Sequence, residues 1–169
     1  MARSSSGRAE LPTTTEVADL WRAVVRAGGA IGFPVDAPAE LIAEAAAGEL
    51  RDVGSGRQEL LVERDGGLLV GMVLVRGKEG QVFRHRAEVR KLIVHPGWQR
   101  GGIGRRLLAR AVERARDLGF RQLVLATRGG THLPEFYRRQ GWAEVGRFPA
   151  ALQVAPGDFR DEHWFQREL

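Results

Sequence analysis

The stretch spanning residues 88–126 constrains this chain more than any other, because within it the apolar period changes from two to 3.6 and back. Residues 88–94 read as a strand, and Pro96 stops it. From Ile103 the residues Leu107, Leu108, Ala111, Val112, Ala115 and Leu118 fall on one helical face with arginines opposite, and Gly119 ends the helix. Residues 123–126 form the next strand. A strand, a helix of about four turns and another strand make a βαβ unit, whose crossover is expected to be right-handed and whose strands are expected to be parallel. The fold class expected is therefore α/β with a mixed sheet.

The flanking segments add elements to that unit. Residues 1–12 are small, polar and unpatterned and read as a loose arm, with a short first strand near Leu11; residues 13–169 read as one domain. Thr13 and Glu16 have capping-box spacing, and Val17, Leu20, Trp21, Val24 and Val25 follow at helical intervals until Gly28 and Gly29. An apolar loop at 30–35, carrying Ile31 and Phe33, leads to Asp36, which can cap a second helix built on Leu41, Ile42, Ala45, Ala46 and Leu50. Residues 60–62 and 68–75 form a hairpin around Asp65, Gly66 and Gly67, with Gly71 interrupting its second strand. The last third reads as a helix at 134–139, a strand beginning at Trp142 and a final strand from about His163 to Leu169.

Composition excludes several classes. At 169 residues the chain suits one domain, and no run approaches the roughly 18 consecutive apolar residues needed to span a bilayer. The start MARSSSGRAE lacks the apolar core of a secretory signal, so a cytoplasmic location, with no membrane partner, is expected. With no cysteine there is no disulfide framework, thiolate metal site or cysteine nucleophile. The formal charge is +5, and because Lys78 and Lys91 are the only lysines, the basic character is almost wholly arginine. Arginine favours phosphate partners, although GC-rich coding gives the same bias. The arginine helix at 105–116 is broken by Glu113 and Asp117 and lacks interleaved aromatics, so it reads as a solvated face rather than a nucleic-acid site. No histidine pair has metal-site spacing with acidic company, and no metal is expected.

Chemistry concentrates between the first strand and the helix of the βαβ unit. There, Val94-His95-Pro96-Gly97-Trp98-Gln99-Arg100-Gly101-Gly102-Ile103-Gly104-Arg105 places glycines where backbone N–H groups can approach an anion, at a helix end whose dipole is positive. The pattern reads as a diphosphate cradle; the alternative is a glycine-rich turn that only reverses the chain. No lysine or hydroxyl residue follows Gly104 as a P-loop requires. A dinucleotide fingerprint starting at Gly102 would need glycine where Leu107 stands.

Gln99-Arg100-Gly101-Gly102-Ile103-Gly104 resembles the Q/R-x-x-G-x-G/A signature of the GNAT superfamily of N-acetyltransferases, and Phe136-Tyr137-Arg138-Arg139-Gln140-Gly141-Trp142 is similar to that family's F-Y-x-x-x-G-F/W segment. The likeness runs from about Thr13 to the C-terminus, and residues 88–92 resemble the branch that includes the tabtoxin-resistance acetyltransferase. It implies a central twisted mixed sheet of about six to seven strands flanked by helices, with acetyl-CoA as cosubstrate. Gln99, Arg100, Gly101, Gly102, Ile103 and Gly104 would then hold the diphosphate with Arg105 nearby. Leu92, Ile93 and Val94 would supply main-chain groups to the pantetheine arm, as in strand addition.

Carried further, the resemblance makes Tyr137, the single tyrosine, the acid that protonates the departing thiolate; the alternative is a packed aromatic. Glu88 becomes the base for the acceptor amine, against the alternative of a strand ion pair with Arg90. Some relatives carry an acidic residue where Ala126 stands, a departure that touches both the base and the acceptor. The acceptor pocket would draw on Ile31, Phe33, the region from Phe148 to Phe159 and His163, with carboxylates at Asp161 and Glu162 positioned to attract a cationic amine or simply solvated in a turn. The function expected is transfer of an acetyl group to a primary amine, of a small molecule, by direct attack in a ternary complex. A protein acceptor and a non-catalytic CoA sensor are the alternatives, and pairing through C-terminal strands would give a homodimer.

Overall fold

The computed structural model describes residues 11–29 and 31–169. The arm expected at 1–12 lies outside the described residues except for Leu11 and Pro12, which are coil, so the strand expected near Leu11 is not formed there. Thr13 caps α1 (Thr14–Arg26) through the full capping box: its side chain accepts from the Glu16 N–H, and the Glu16 carboxylate accepts from the Thr13 N–H at 2.7 Å. The second helix, α2 (Ala39–Gly54), starts later than expected. Its N-cap is Pro38, with no side-chain cap, in place of Asp36. Proline's fixed φ suits the helix entry, and the residue before it is pushed out of the helical region, which moves the start past Asp36.

Next, β1 (Gln58–Asp65) and β2 (Leu68–Gly77) form the hairpin, its two-residue turn carried by Gly66 and Gly67 at positive φ. Then follow β3 (Arg86–Val94), α3 (Ile103–Asp117), β4 (Gln122–Arg128), α4 (Leu133–Arg139), β5 (Ala143–Ala155) and β6 (Asp158–Glu168). The six strands stand in the order β1-β2-β3-β4-β6-β5. Only β3 and β4 are parallel, as a βαβ crossover demands.

Both faces of the sheet are covered, which is why β2 reads as an almost unbroken apolar run. Val70, Val73 and Val75 face α3 and α4 with Leu107, Leu123 and Phe165, while Leu69, Met72 and Leu74 face α1 and α2 with Trp21 and Ile42. On the first of these faces α3 approaches the sheet over Gly71, where an added Cβ would lie 2.9 Å from Leu107 Cδ1 and 3.0 Å from Ile103 Cγ2. Glycine there sets the height of α3 above the sheet, and with it the position of the helix start. Gly71→Val is expected to lower the unfolding free energy by about 1–3 kcal/mol through overpacking, read from urea midpoints at unchanged slope.

Candidate functional site

The cleft of this protein is made by two parallel strands that stop pairing. β3 and β4 are matched at Arg86, Ala87 and Glu88 against Gln122, Leu123 and Val124, and no further. The cause lies on β3, whose register with β2 jumps from Arg90 opposite Leu74 to Ile93 opposite Met72. Two residues of β3, Lys91 and Leu92, there oppose Val73 alone, and Lys91 takes a φ of 50°. Such a bulge bends its strand and increases its twist. Because β4 stays paired with β6 from Gln122 to Arg128, only β3 swings away. Main-chain groups of residues 89–94 and 125–128 are left lining an opening at the carboxyl ends of both strands.

The bulge also redirects side chains. Arg90 and Lys91, adjacent in sequence, both reach the α1/α2 face. Arg90 pairs with Glu49 of α2 at 2.9 Å. The Lys91 ammonium donates to the Ile31 carbonyl and sits 5.0 Å and 5.4 Å from the ring centres of Trp21 and Phe33. Burial pushes the Lys91 pKa below its ordinary value, offset in part by Glu49. A half-buried cation thus pins the loop between α1 and α2 to the strand that borders the cleft.

At the mouth of the cleft, His95 Nδ1 accepts from the Gly97 N–H in a 3₁₀ turn, Pro96–Trp98. Trp98 Nε1 donates to Asp65 at 2.8 Å, and the Gln99 amide donates to the Val94 carbonyl at 3.1 Å, fastening the loop at both ends. Arg100 and Gly102 have φ of 67° and 80°. Gly102 is the N-cap of α3 and supplies no capping side chain, so the first-turn N–H groups remain available at the positive end of the helix. Arg106 donates to the Gly101 carbonyl at 3.2 Å and pairs with Glu63, whereas Arg100 and Arg105 are exposed and form no ion pair among the described residues.

Gly104 separates a structural glycine from one that suits a ligand. A Cβ there would meet Val94 Cγ2 at 3.6 Å and Phe136 Cζ at 4.0 Å, ordinary contacts, and its φ is not in the left-handed region. The fold itself does not need glycine at this point. Its absence of a side chain leaves the backbone open to approach from outside, and the residues fit a diphosphate carried by a thin arm lying between the parted strands.

Tyr137, on α4, is buried against Phe136, Trp142 and Phe165 at centroid distances of 5.2, 6.2 and 5.7 Å. Burial pushes its phenol well above the ordinary value, so the group stays protonated. The hydroxyl has no protein partner among the described residues and is not among the sealed polar atoms. Glu88 lies at the paired end of β3 and binds Lys78 at 2.8 Å rather than Arg90. By alternation it shares the face of Arg90, toward α2. His163 is buried, with Nδ1 2.7 Å from Glu144, which also binds Arg138; an added Cβ on Gly129 would lie 2.7 Å from its Nε2.

Residues 148–159 form the end of a β-hairpin, since β5 runs to Ala155 and β6 starts at Asp158. Asp161 is bound by Arg147 and the Ala150 N–H, and Glu162 accepts from Trp164 Nε1 at 2.8 Å, so these carboxylates are engaged. A cavity of about 280 Å³ lies between the α1/α2 loop, the end of β4 and the hairpin, and Phe33 lines it together with Arg128, Asp158 and Arg160. Ile31 is buried beside it, and His163 is not among its lining residues. Sequence reading missed Lys91, Arg128 and Arg160. The first is aimed by the bulge, and the others meet only when β4 and β6 pair. No signal in the linear pattern marks them.

The Acetyltransferase (GNAT) family model matches residues 32–142 of the chain. An amino-acid acetyltransferase of Pseudomonas paraeruginosa and one of Pseudomonas aeruginosa are each 31% identical to it over 111 residues, 64% of this chain. The chain spans about a quarter of the length of these curated relatives, 24%. Among solved structures, a ribosomal-protein-alanine N-acetyltransferase from Brucella melitensis superposes with a TM-score of 0.77 at 22% identity, covering 95% of this chain and 98% of the other. A putative acetyltransferase from Salmonella typhimurium, solved with its cofactor acetyl-CoA, superposes at 0.74 with 19% identity, covering 95% and 92%. At these identities the structures establish a shared fold. Gly104→Val is expected to weaken binding of coenzyme A, used as a diphosphate probe in calorimetry, by at least about ten-fold while changing unfolding free energy by less than about 1 kcal/mol. Unchanged affinity would remove the cradle.

Proposed function

The chain belongs to the acetyltransferase (GNAT) family, and on that premise we propose that it transfers an acetyl group from acetyl-CoA to a primary amine of a small molecule, by direct attack in a ternary complex. The observation that carries this reading is the coincidence, at one point, of the strand splay, the uncapped start of α3 and a glycine that packing does not require. Acetyl-CoA, when bound, supplies a thioester whose acyl carbon is the electrophile.

In this reading Gln99, Arg100, Gly101, Gly102, Ile103 and Gly104 bind the diphosphate through backbone N–H groups, with the free Arg105 guanidinium beside them. Leu92, Ile93 and Val94 offer main-chain groups to the pantetheine arm in place of the missing β4 pairing. The groove continuing from Arg105 past Arg116, Arg139 and Arg167 keeps the outer part of the site positive. Ile31 and Phe33 border the acceptor's entry, and residues 13–169 act as one catalytic domain. His163, tied to Glu144, steadies β6 behind the acceptor.

Proton movements fall to two side chains. An ammonium has no lone pair, so the acceptor must first lose a proton. Glu88, ion-paired with Lys78, takes it through water along the α2 face of β3. The sulfur leaves as a thiolate unless it is protonated, and the Tyr137 hydroxyl, held protonated by burial and without a protein partner, donates to it. Free thiol and an amide are the products.

A homodimer along β5 belongs to the same reading. β5 is an edge strand with β6 on one side only, and Val145 and Phe148 on it are 57% exposed. Light scattering at micromolar concentration is expected to give twice the mass of the chain, and a monomer mass would exclude pairing. For the chemistry, Tyr137→Phe and Glu88→Gln are best read together as pH–rate profiles by thiol release over an amine panel. Tyr137→Phe should lower kcat by about 10²–10⁴-fold with little change in acetyl-CoA affinity. In Glu88→Gln, kcat/KM should fall and its acidic limb should move to higher pH, because the acceptor amine must then lose its proton unaided. An unchanged profile in either variant removes that residue's role, and no thiol from any amine removes the reaction.

A further inference from the structure

The cavity beside Phe33 carries an unbalanced charge. Arg160 gives both arms of its fork to Asp158, with Nε 2.7 Å from Oδ1 and Nη2 2.9 Å from Oδ2. Arg128, on the same wall, donates through Nη2 to the Gly28 carbonyl at 2.7 Å and has no carboxylate within ion-pairing distance among the described residues. The lining thus holds one positive charge more than negative. Burial and the neighbouring Arg160 lower the Arg128 pKa from its ordinary value, offset in part by Asp158. Water can satisfy the remaining N–H donors of Arg128, but an anion also balances the charge.

The walls set two guanidiniums and one carboxylate against an apolar side. Gly130 has a φ of 72°, and an added Cβ there would fall 2.8 Å from Arg160 Nη1, so the chain leaving β4 closes directly over that guanidinium. Opposite it the lining is apolar, with Val25, Phe33, Val35 and Val154. A volume of about 280 Å³ lies near the lower end of the range for ligand pockets, which suits a molecule of amino-acid size. Arg128 is the last residue of β4, whose residues 125–128 form one side of the cleft. An acid group held by Arg128 would leave an amine a few bonds away facing the cleft.

Resting on the acetyl-transfer reading above, we propose that this cavity binds the carboxylate of the acceptor, with Arg128 as the residue that selects it, so that the amine acetylated belongs to an amino-acid-like compound. The planar guanidinium fork matches a carboxylate edge-on, and replacing the acid by a carboxamide removes the charge while keeping the shape. The carboxylates at Asp161 and Glu162 are occupied elsewhere and offer no counterpart site for a purely cationic amine.

The test compares the twenty common amino acids with their carboxamides, by calorimetry on the full chain saturated with coenzyme A and, separately, by thiol release with acetyl-CoA. At least one acid is expected to bind about ten-fold or more tightly than its amide, and Arg128→Gln is expected to bring that ratio to about one. Arg128→Lys, which keeps the charge without the fork, should restore part of it. Equal affinity for acids and amides in the parent protein, or an unchanged ratio in either folded Arg128 variant, overturns the proposal. The parent comparison decides the matter even where a variant fails to fold. Acids that bind with this preference but release no thiol would leave the carboxylate site standing and remove acetyl transfer. Thiol release from amines lacking an acid group, with no acid bound, would do the reverse.

Discussion

One irregularity of backbone pairing governs the rest of this molecule: the extra residue that β3 carries at Lys91 and Leu92 against β2. A regular β3 would stay parallel and hydrogen-bonded to β4 along its length, and the sheet would have no opening. With the bulge, pairing ends at Glu88 and Val124, and unpaired main-chain groups are left at the carboxyl ends of adjacent parallel strands. Buried or half-buried backbone groups in that state need partners. In the proposed reading an extended ligand supplies them in the way an added strand would.

The same bulge couples the two faces of the sheet. By turning Lys91 toward α1 it places an ammonium between Trp21 and Phe33 and against the Ile31 carbonyl. Cation–π contacts strengthen as they are desolvated, so this cluster holds the loop between α1 and α2 near the cleft more firmly than its glycines and Pro34 would suggest. Phe33 in turn lines the cavity that ends at Arg128 and Arg160. The strand that opens the cleft thereby also fixes one wall of the neighbouring cavity. On the opposite face, Gly71 lets α3 settle close to the sheet and brings its uncapped start level with the opening.

Electrostatics divide the site into two regions. The end proposed for the diphosphate has glycines, a helix terminus and, among the described residues, two arginines without an ion pair, and it is open to solvent. Toward the cavity, charge is carried by guanidiniums among apolar residues, where each cation counts for more because less water screens it. Tyr137 lies in the core between α4 and β6 and is kept neutral by its surroundings. In the proposed reaction that neutrality is what lets it donate a proton.

Local signals in the chain are enough for most of the elements and for the glycine-rich start of α3. The period change across residues 88–126 gave the parallel pair, the capping box gave α1, and the glycines before Arg105 marked the helix start, because each depends on neighbours within a few positions. The sequence also carried the resemblance to the family. Asp36 does not start α2 because Pro38 takes the same helix entry, and the last strand begins at Asp158, ahead of the expected His163, because its first residues do not alternate in polarity. Nothing in the linear order marked the bulge, the turning of Lys91, or the meeting of Arg128 with Arg160, since these arise from register between strands and from the pairing of β4 with β6. Register is decided by the packing of both sheet faces at once. The elements that border the cleft are therefore legible in the chain, while the charge of the neighbouring cavity is decided only in three dimensions.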